Sequence, residues 1–269
     1  MIDAHLHVWK ADPTFPDPAA TTVSSASDAP VELLEQYMEE FAVERAVIVQ
    51  PLYPGEDNSY VTEVTQAQPE KFAAVVVVDP RRPEAANSLE RWVKDSGAKG
   101  LRLRPGVPDE SACYGHESTF PLWERIQQLG VVVNVLGGFA FMEQTRLLAD
   151  RFGDVNIILD HMAHPDIAGG ANSWQPLLDL ASCPNVHVKV SGYPYCSKQS
   201  YPFLDCRDLV KAIYDRFGPK RMIWGSDFPH ILLQTGYQRA ILGLSRLDLG
   251  FTDDELQTIQ HDNALRLYW

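Results

Sequence analysis

Short apolar runs recur along this chain at intervals of about 25–35 residues, separated by stretches whose apolar residues return every three or four positions. The runs are Met1–Trp9, Ala46–Gln50, Ala73–Val78, Gly100–Arg104, Val131–Val135, Val155–Asp160, Val186–Val190 and Met222–Trp224. Continuous apolar segments of this length are the habit of parallel strands buried on both faces. The periodic stretches predict helices over residues 31–42, 58–68, 84–96, 118–129, 140–152, 173–182, 203–217 and 236–248. A last helix over 252–266 opens on the capping box Thr252-Asp-Asp-Glu255. Eight strands alternating with helices in one series predict a single (β/α)8 barrel over residues 1–269, with an additional C-terminal helix.

Bulk composition narrows the function. With 45% hydrophobic residues in 269, the chain can bury a large core. Its formal net charge of −13 disfavours nucleic acid and anionic membranes as partners, because phosphate surfaces need a basic face. The expected partner is a small molecule, with self-association into a homo-oligomer left open. Cys113, Cys183, Cys196 and Cys206 form no Cys-x-x-Cys pair and read as reduced thiols of a cytoplasmic protein. No basic, then apolar, leader precedes the first strand and no run reaches membrane-spanning length, which points the same way.

In a (β/α)8 barrel, chemistry sits at the C-terminal ends of the strands. His5 and His7 on strand 1 are two apart and share a face. Asp227 ends the run Ile223-Trp-Gly-Ser-Asp227 on strand 8, with His230 just beyond. Asp160, His161 and His164 follow strand 6; His161 reads as a ligand or catalytic residue, or as a core histidine bonded to backbone. Arg102 and Arg104 share a face of strand 4, and Lys189 lies on strand 7. Such charges inside a barrel must either pair with structural carboxylates or recognise an anionic substrate. Tyr53 beyond strand 2 and Tyr193 beyond strand 7 complete the candidate substrate-binding set of Arg102, Arg104, Tyr53, Lys189, Tyr193, His164 and His230. The unpatterned segment Lys10–Pro30 is expected to be a covering loop.

Ile-Asp-Ala-His5-Leu-His7-Val-Trp, Leu-Asp-His161-Met, Val-Lys189-Val-Ser-Gly and Trp-Gly-Ser-Asp227-Phe-Pro, taken as an ordered set, resemble the amidohydrolase superfamily. The likeness is to the branch containing 2-pyrone-4,6-dicarboxylate lactonase and sugar-lactone lactonases, and it runs over the whole chain. It implies hydrolysis of a lactone or related ester of an acidic or sugar-derived substrate, with His5, His7, His161 and Asp227 as the catalytic set and Asp227 activating water. It also implies that arginine at Arg102 and Arg104 binds a substrate carboxylate. Strand 5 offers Asn134 where many relatives carry a bridging ligand, so a binuclear centre is not expected. Two arrangements satisfy the rest: one Zn²⁺ held by His5, His7, His161 and Asp227, or no metal, with the histidines and arginines polarising the carbonyl directly. The rivals are a metal-dependent decarboxylase resembling aminocarboxymuconate-semialdehyde decarboxylase, a metal-dependent nuclease, and a catalytically silent binding protein on the same barrel.

Overall fold

The computed structural model describes residues 1–10, 28–51, 56–104 and 115–269. Tyr53, Cys113 and residues 11–27 of the expected covering loop lie outside them. The strands are β1 (Ile2–Leu6), β2 (Arg45–Val49), β3 (Phe72–Val77), β4 (Gly100–Leu103), β5 (Val132–Val135), β6 (Ile157–Leu159), β7 (Val186–Lys189) and β8 (Met222–Ile223). They pair in parallel in the order β1 to β8, and helices surround them, as a (β/α)8 barrel requires.

Valine and isoleucine fill both faces of this sheet because both are buried. One apolar cluster lies inside the barrel, with Ile2, Val47, Ala73, Val132, Ile158 and Ile223 among its members. A larger one lies between strands and helices, where Leu34, Trp123, Leu148 and Ile213 pack. The C-terminal helix covers the lower end of the barrel and contributes Ala264 and Tyr268 to the inner cluster. It starts on the expected capping box: Thr252 Oγ1 accepts from Glu255 N at 3.2 Å, and Glu255 Oε2 accepts from Thr252 N at 2.9 Å. It runs as Asp253–Gln257 and Asn263–Tyr268, joined by a π-helical turn at Thr258–Asp262.

Several elements are shorter than the expected ranges, and two departures bear on the site. The helix expected over 173–182 is broken into the turn Ala171–Trp174, the short helix Gln175–Asp179 and the turn Leu180–Ser182. Pro176, with no N–H to offer, fits only the first turn of a helix. Strand β8 is only two residues long, so the barrel closes largely through the segment that follows it. Ala4 N donates to Trp224 O (3.2 Å), Asp227 N to His5 O (2.8 Å) and His7 N to Phe228 O (2.7 Å). Asp3 fastens the same seam with its side chain: Oδ1 accepts from Ser226 N at 2.9 Å and Oδ2 from Tyr237 Oη at 2.8 Å. The pairing of β1 with β2 slips between Asp3 and Leu6. Ile2 and Ala4 then belong to the inner cluster while Leu6 belongs to the outer one. No helix among the described residues is long and apolar enough to cross a membrane.

Asp3 is fully buried, so Asp3→Ala strands the Ser226 N–H and the Tyr237 hydroxyl in a dry environment. Each such orphan costs about 1–3 kcal/mol, and urea unfolding should show a loss of at least that size with a lower Tm. A loss below about 0.5 kcal/mol, within ordinary surface-substitution scatter, would mean that the seam holds without this carboxylate.

Candidate active site

Three imidazoles converge on one carboxylate at the mouth of the barrel. Asp227 Oδ1 lies 3.3 Å from His7 Nε2, 3.6 Å from His5 Nε2 and 4.0 Å from His161 Nε2. Asp227 Oδ2 accepts a hydrogen bond from the Tyr195 hydroxyl. Each ring is held from behind. His7 Nδ1 stands 2.8 Å from Val49 O; a carbonyl only accepts, so the neutral ring carries its hydrogen on Nδ1 and presents a lone pair at Nε2. His161 Nδ1 is 3.0 Å from Ser191 Oγ. His5 Nδ1 is 3.0 Å from Lys189 Nζ and 3.3 Å from Asp160 Oδ1. Its Nε2 is buried with no hydrogen-bond partner among the described residues. Donor atoms of His5, His7 and Asp227 all lie within 4.8 Å of one another, an arrangement able to hold a metal ion.

The backbone is bent to make this possible. His161, Met162, Ala163 and His164 have φ of 52°, 54°, 60° and 51°, a left-handed turn that non-glycine residues adopt at about 1–2 kcal/mol each. Strand β6 is thereby cut off at Leu159 and the His161 ring is turned into the mouth. Two glycines make room for the rings. A Cβ on Gly192 would stand 2.7 Å from His161 Cβ, and one on Gly225 would stand 2.6 Å from His5 Cβ. Side chains therefore cannot exist at either position without displacing a histidine.

Beneath the rings lies a second polar layer. Asp160 is fully buried, with Lys189 Nζ at 3.0 Å, Arg102 Nε at 3.4 Å and Asn134 Nδ2 at 3.3 Å. Burial pushes the Asp160 carboxyl up, but Lys189, His5 and Arg102 outweigh it and hold the group well below the ordinary carboxylate range. Asp227 behaves alike: burial works against ionisation, while His161, His7 and His5 prevail and keep it ionised. Burial depresses His161 to about 4 and His5 well below the ordinary imidazole value. The site thus offers an ionised carboxylate beside His5 and His161, whose burial favours the neutral ring that can ligate a cation.

The structure sorts the candidates from the sequence. His5, His7, His161 and Asp227 come together as expected. His230 lies beside them, its ring 5.5 Å from His7 and 5.8 Å from Trp9. His164 and Arg104 stand exposed at the rim, with His164 5.4 Å from the His161 ring. Arg102 is buried and paired with Asp160. Lys189, expected at the substrate, is fully buried with Asp160 and His5 as its partners. Tyr193, expected beside it, packs its ring in the outer core against Phe203. Tyr195 is 38% exposed, with its ring 5.6 Å from His161. No periodic signal marks Tyr195, which lies on the short helix Tyr193–Cys196. Asp160 was legible: Ile158 faces the barrel interior, and a residue two further along shares that face.

A family described as amidohydrolase matches residues 2–269. An L-fucono-1,5-lactonase from Burkholderia ambifaria is 30% identical over 249 residues, covering 85% of this chain and 80% of that protein. A 4-sulfomuconolactone hydrolase from Hydrogenophaga intermedia is 26% identical, covering 99% and 88%. Among solved structures, an amidohydrolase from Burkholderia multivorans with bound zinc superposes with a TM-score of 0.86 at 23% identity, covering 99% of this chain and 98% of that one. The last shows a shared fold.

A Cβ on Gly225 would also stand 2.7 Å from His5 N, so Gly225→Ala displaces the first strand together with its side chain and tests the seating of His5 as a whole. A misplacement of about 1 Å in a reacting centre can cost about 10²-fold. The variant should lose turnover on that scale and melt at a lower temperature, because the clash falls on the seam that closes the barrel. Wild-type turnover in a folded Gly225→Ala protein would show that the ring tolerates the displacement.

Proposed function

The chain belongs to the amidohydrolase family, and we propose that it opens the lactone ring of a neutral, sugar-derived acid by attack of water. The observation that carries this reading is the ionised Asp227 carboxylate facing the Nε2 atoms of His5, His7 and His161. Asp227 Oδ1 accepts the proton of the attacking water as the water oxygen bonds to the lactone acyl carbon. The Tyr195 hydroxyl, bonded to Oδ2, keeps Oδ1 turned inward. His161 Nδ1 lies 3.0 Å from Ser191 Oγ; with the hydroxyl as donor there, the ring hydrogen on Nε2 meets charge developing on the carbonyl oxygen. The bond between acyl carbon and ring oxygen then breaks, and that oxygen takes the proton back from Asp227, leaving an open hydroxy acid.

The residues fit Zn²⁺, because His5 Nε2 is a buried nitrogen without a hydrogen-bond partner among the described residues and the group is of imidazole and carboxylate donors. His5, His7 and Asp227 would hold the ion, which when bound supplies Lewis acidity to a carbonyl and acidity to water.

Charge selects the substrate class. Of the cations on the strands, Lys189 is engaged by Asp160 and His5 and Arg102 is matched by Asp160, which leaves Arg104 at the rim; Arg81 and Arg82, after β3, pair with Asp79 and Glu56. A dicarboxylate or sulfonate lactone would meet too little positive charge to offset its desolvation, whereas Trp9, His230 and Tyr195 offer ring faces and polar edges to a sugar. Similarity to the fuconolactonase supports the same choice.

A panel of neutral aldonolactones and anionic lactones, followed by acid release at constant pH, tests this. Neutral lactones should be preferred at least about tenfold in kcat/KM, a discrimination worth about 1.4 kcal/mol; preference for dicarboxylates would overturn the substrate class. Asp227→Asn should lose at least about 10²-fold in kcat, the usual scale for removing a general base, with folding retained. Near-full activity in that variant would sink the mechanism. Zinc should copurify, and activity removed by a chelator should return on adding it. Full activity in protein shown to be metal-free would instead leave polarisation to His161 and its neighbours.

A further inference from the structure

We infer that Tyr268, on the C-terminal helix beneath the barrel, is a positioning residue for His5, acting through Asn134 and Asp160. A continuous column of buried polar groups links them. The Tyr268 hydroxyl donates to Asn134 Oδ1 at 3.0 Å, and Asn134 Nδ2 donates to Asp160 Oδ1 at 3.3 Å. Asp160 Oδ1 in turn lies 3.3 Å from His5 Nδ1. Asn134, Asp160 and His5 are completely buried and Tyr268 is 1% exposed, so water cannot replace any link.

The column has one polarity throughout. Asp160 is ionised and can only accept, so the Asn134 amide must turn its NH₂ toward it and its oxygen toward Tyr268. Burial keeps the Tyr268 phenol un-ionised, and its hydrogen meets that oxygen. Removing the hydroxyl orphans Asn134 Oδ1, and rotating the amide to repair this would press oxygen against the Asp160 carboxylate. The Asn134–Asp160 contact therefore loosens in either case.

That loosening matters because His5 Nδ1 stands between two competing partners. A hydrogen on Nδ1 donated to Asp160 leaves the Nε2 lone pair facing Asp227. Donation from Lys189 Nζ, 3.0 Å away, would place the hydrogen on Nε2 instead. The position of Asp160 decides between them, and the column fixes that position. A barrel interior is ordinarily filled by branched apolar residues, which carry no desolvation cost. A polar thread from Tyr268 to His5 replaces them here, and what it adds is orientation. The inference rests on the proposed hydrolase reading only for its activity assay.

Tyr268→Phe keeps the ring that fills the barrel floor and deletes only the donor. It should lower kcat about tenfold, the scale of second-sphere losses around histidine ligands, with KM within about twofold and a native circular dichroism spectrum. In an Asn134→Ala background the same change should add no further loss, since the link is already cut. In ¹⁵N-histidine spectra, the His5 ring signals, assigned by comparison with His5→Gln, should move in Tyr268→Phe while those of His261 stay fixed. Unchanged His5 signals, or a loss in kcat that adds in full to that of Asn134→Ala, would overturn the proposal. Should the wild type open no lactone, the functional reading fails, while the His5 signals still decide this one.

Discussion

The structure turns on a full negative charge held at the centre of the barrel. Asp160 has no access to water, and an isolated carboxylate there would protonate sooner than stay ionised. It remains ionised because Lys189, Arg102 and His5 gather around it from β7, β4 and β1. Removing one partner of such a buried set typically costs about 3–5 kcal/mol, much of it the stranded charge left behind. The barrel cross-section at this level is therefore fixed by electrostatics, where a layer of valines would have fixed it by shape alone. Reactivity one layer higher depends on it, since His5 takes its orientation from the same carboxylate.

Closure of the barrel and construction of the mouth are one event. The two-residue β8 cannot seal the sheet, and the bonds that do so involve the backbone of His5, His7 and Asp227. The strand ends that carry the reacting groups are also those that join the last strand to the first. Steric demands follow: Gly225 admits the His5 backbone and Cβ, and Gly192 the His161 ring, at distances no side chain allows. The left-handed turn at residues 161–164 is strain of the kind that persists only where surrounding structure over-determines it. Here the surroundings are Ser191 behind His161 and the buried side chains of Met162 and Ala163.

Charge also divides the interior from the rim. The cations that strand parity places inside are consumed by Asp160, and the exposed rim holds Arg104, His164 and the aromatic edge of Tyr195.

Sequence alone determined the class of fold, which is written in short-range periodicity, and it placed His5, His7, His161 and Asp227 at strand ends where the structure brings them together. Alternation of apolar runs with 3.6-residue patterns specifies eight βα units, and strand parity puts His5 with His7 at one end and Asp227 at the other. Parity likewise brings Arg102, Asp160 and Lys189 inside. Only the tertiary structure decided what those charges do, because their pairing joins strands 29 to 155 residues apart in sequence in a dry core. Lys189 is buried against Asp160 and His5, and Tyr195, not Tyr193, bonds Asp227. Whether a tyrosine two residues along reaches the mouth depends on how the chain turns after β7, and no local pattern encodes that turn. Tyr268 and Asn134 are 134 residues apart, and their meeting depends on a helix folding back under a closed barrel.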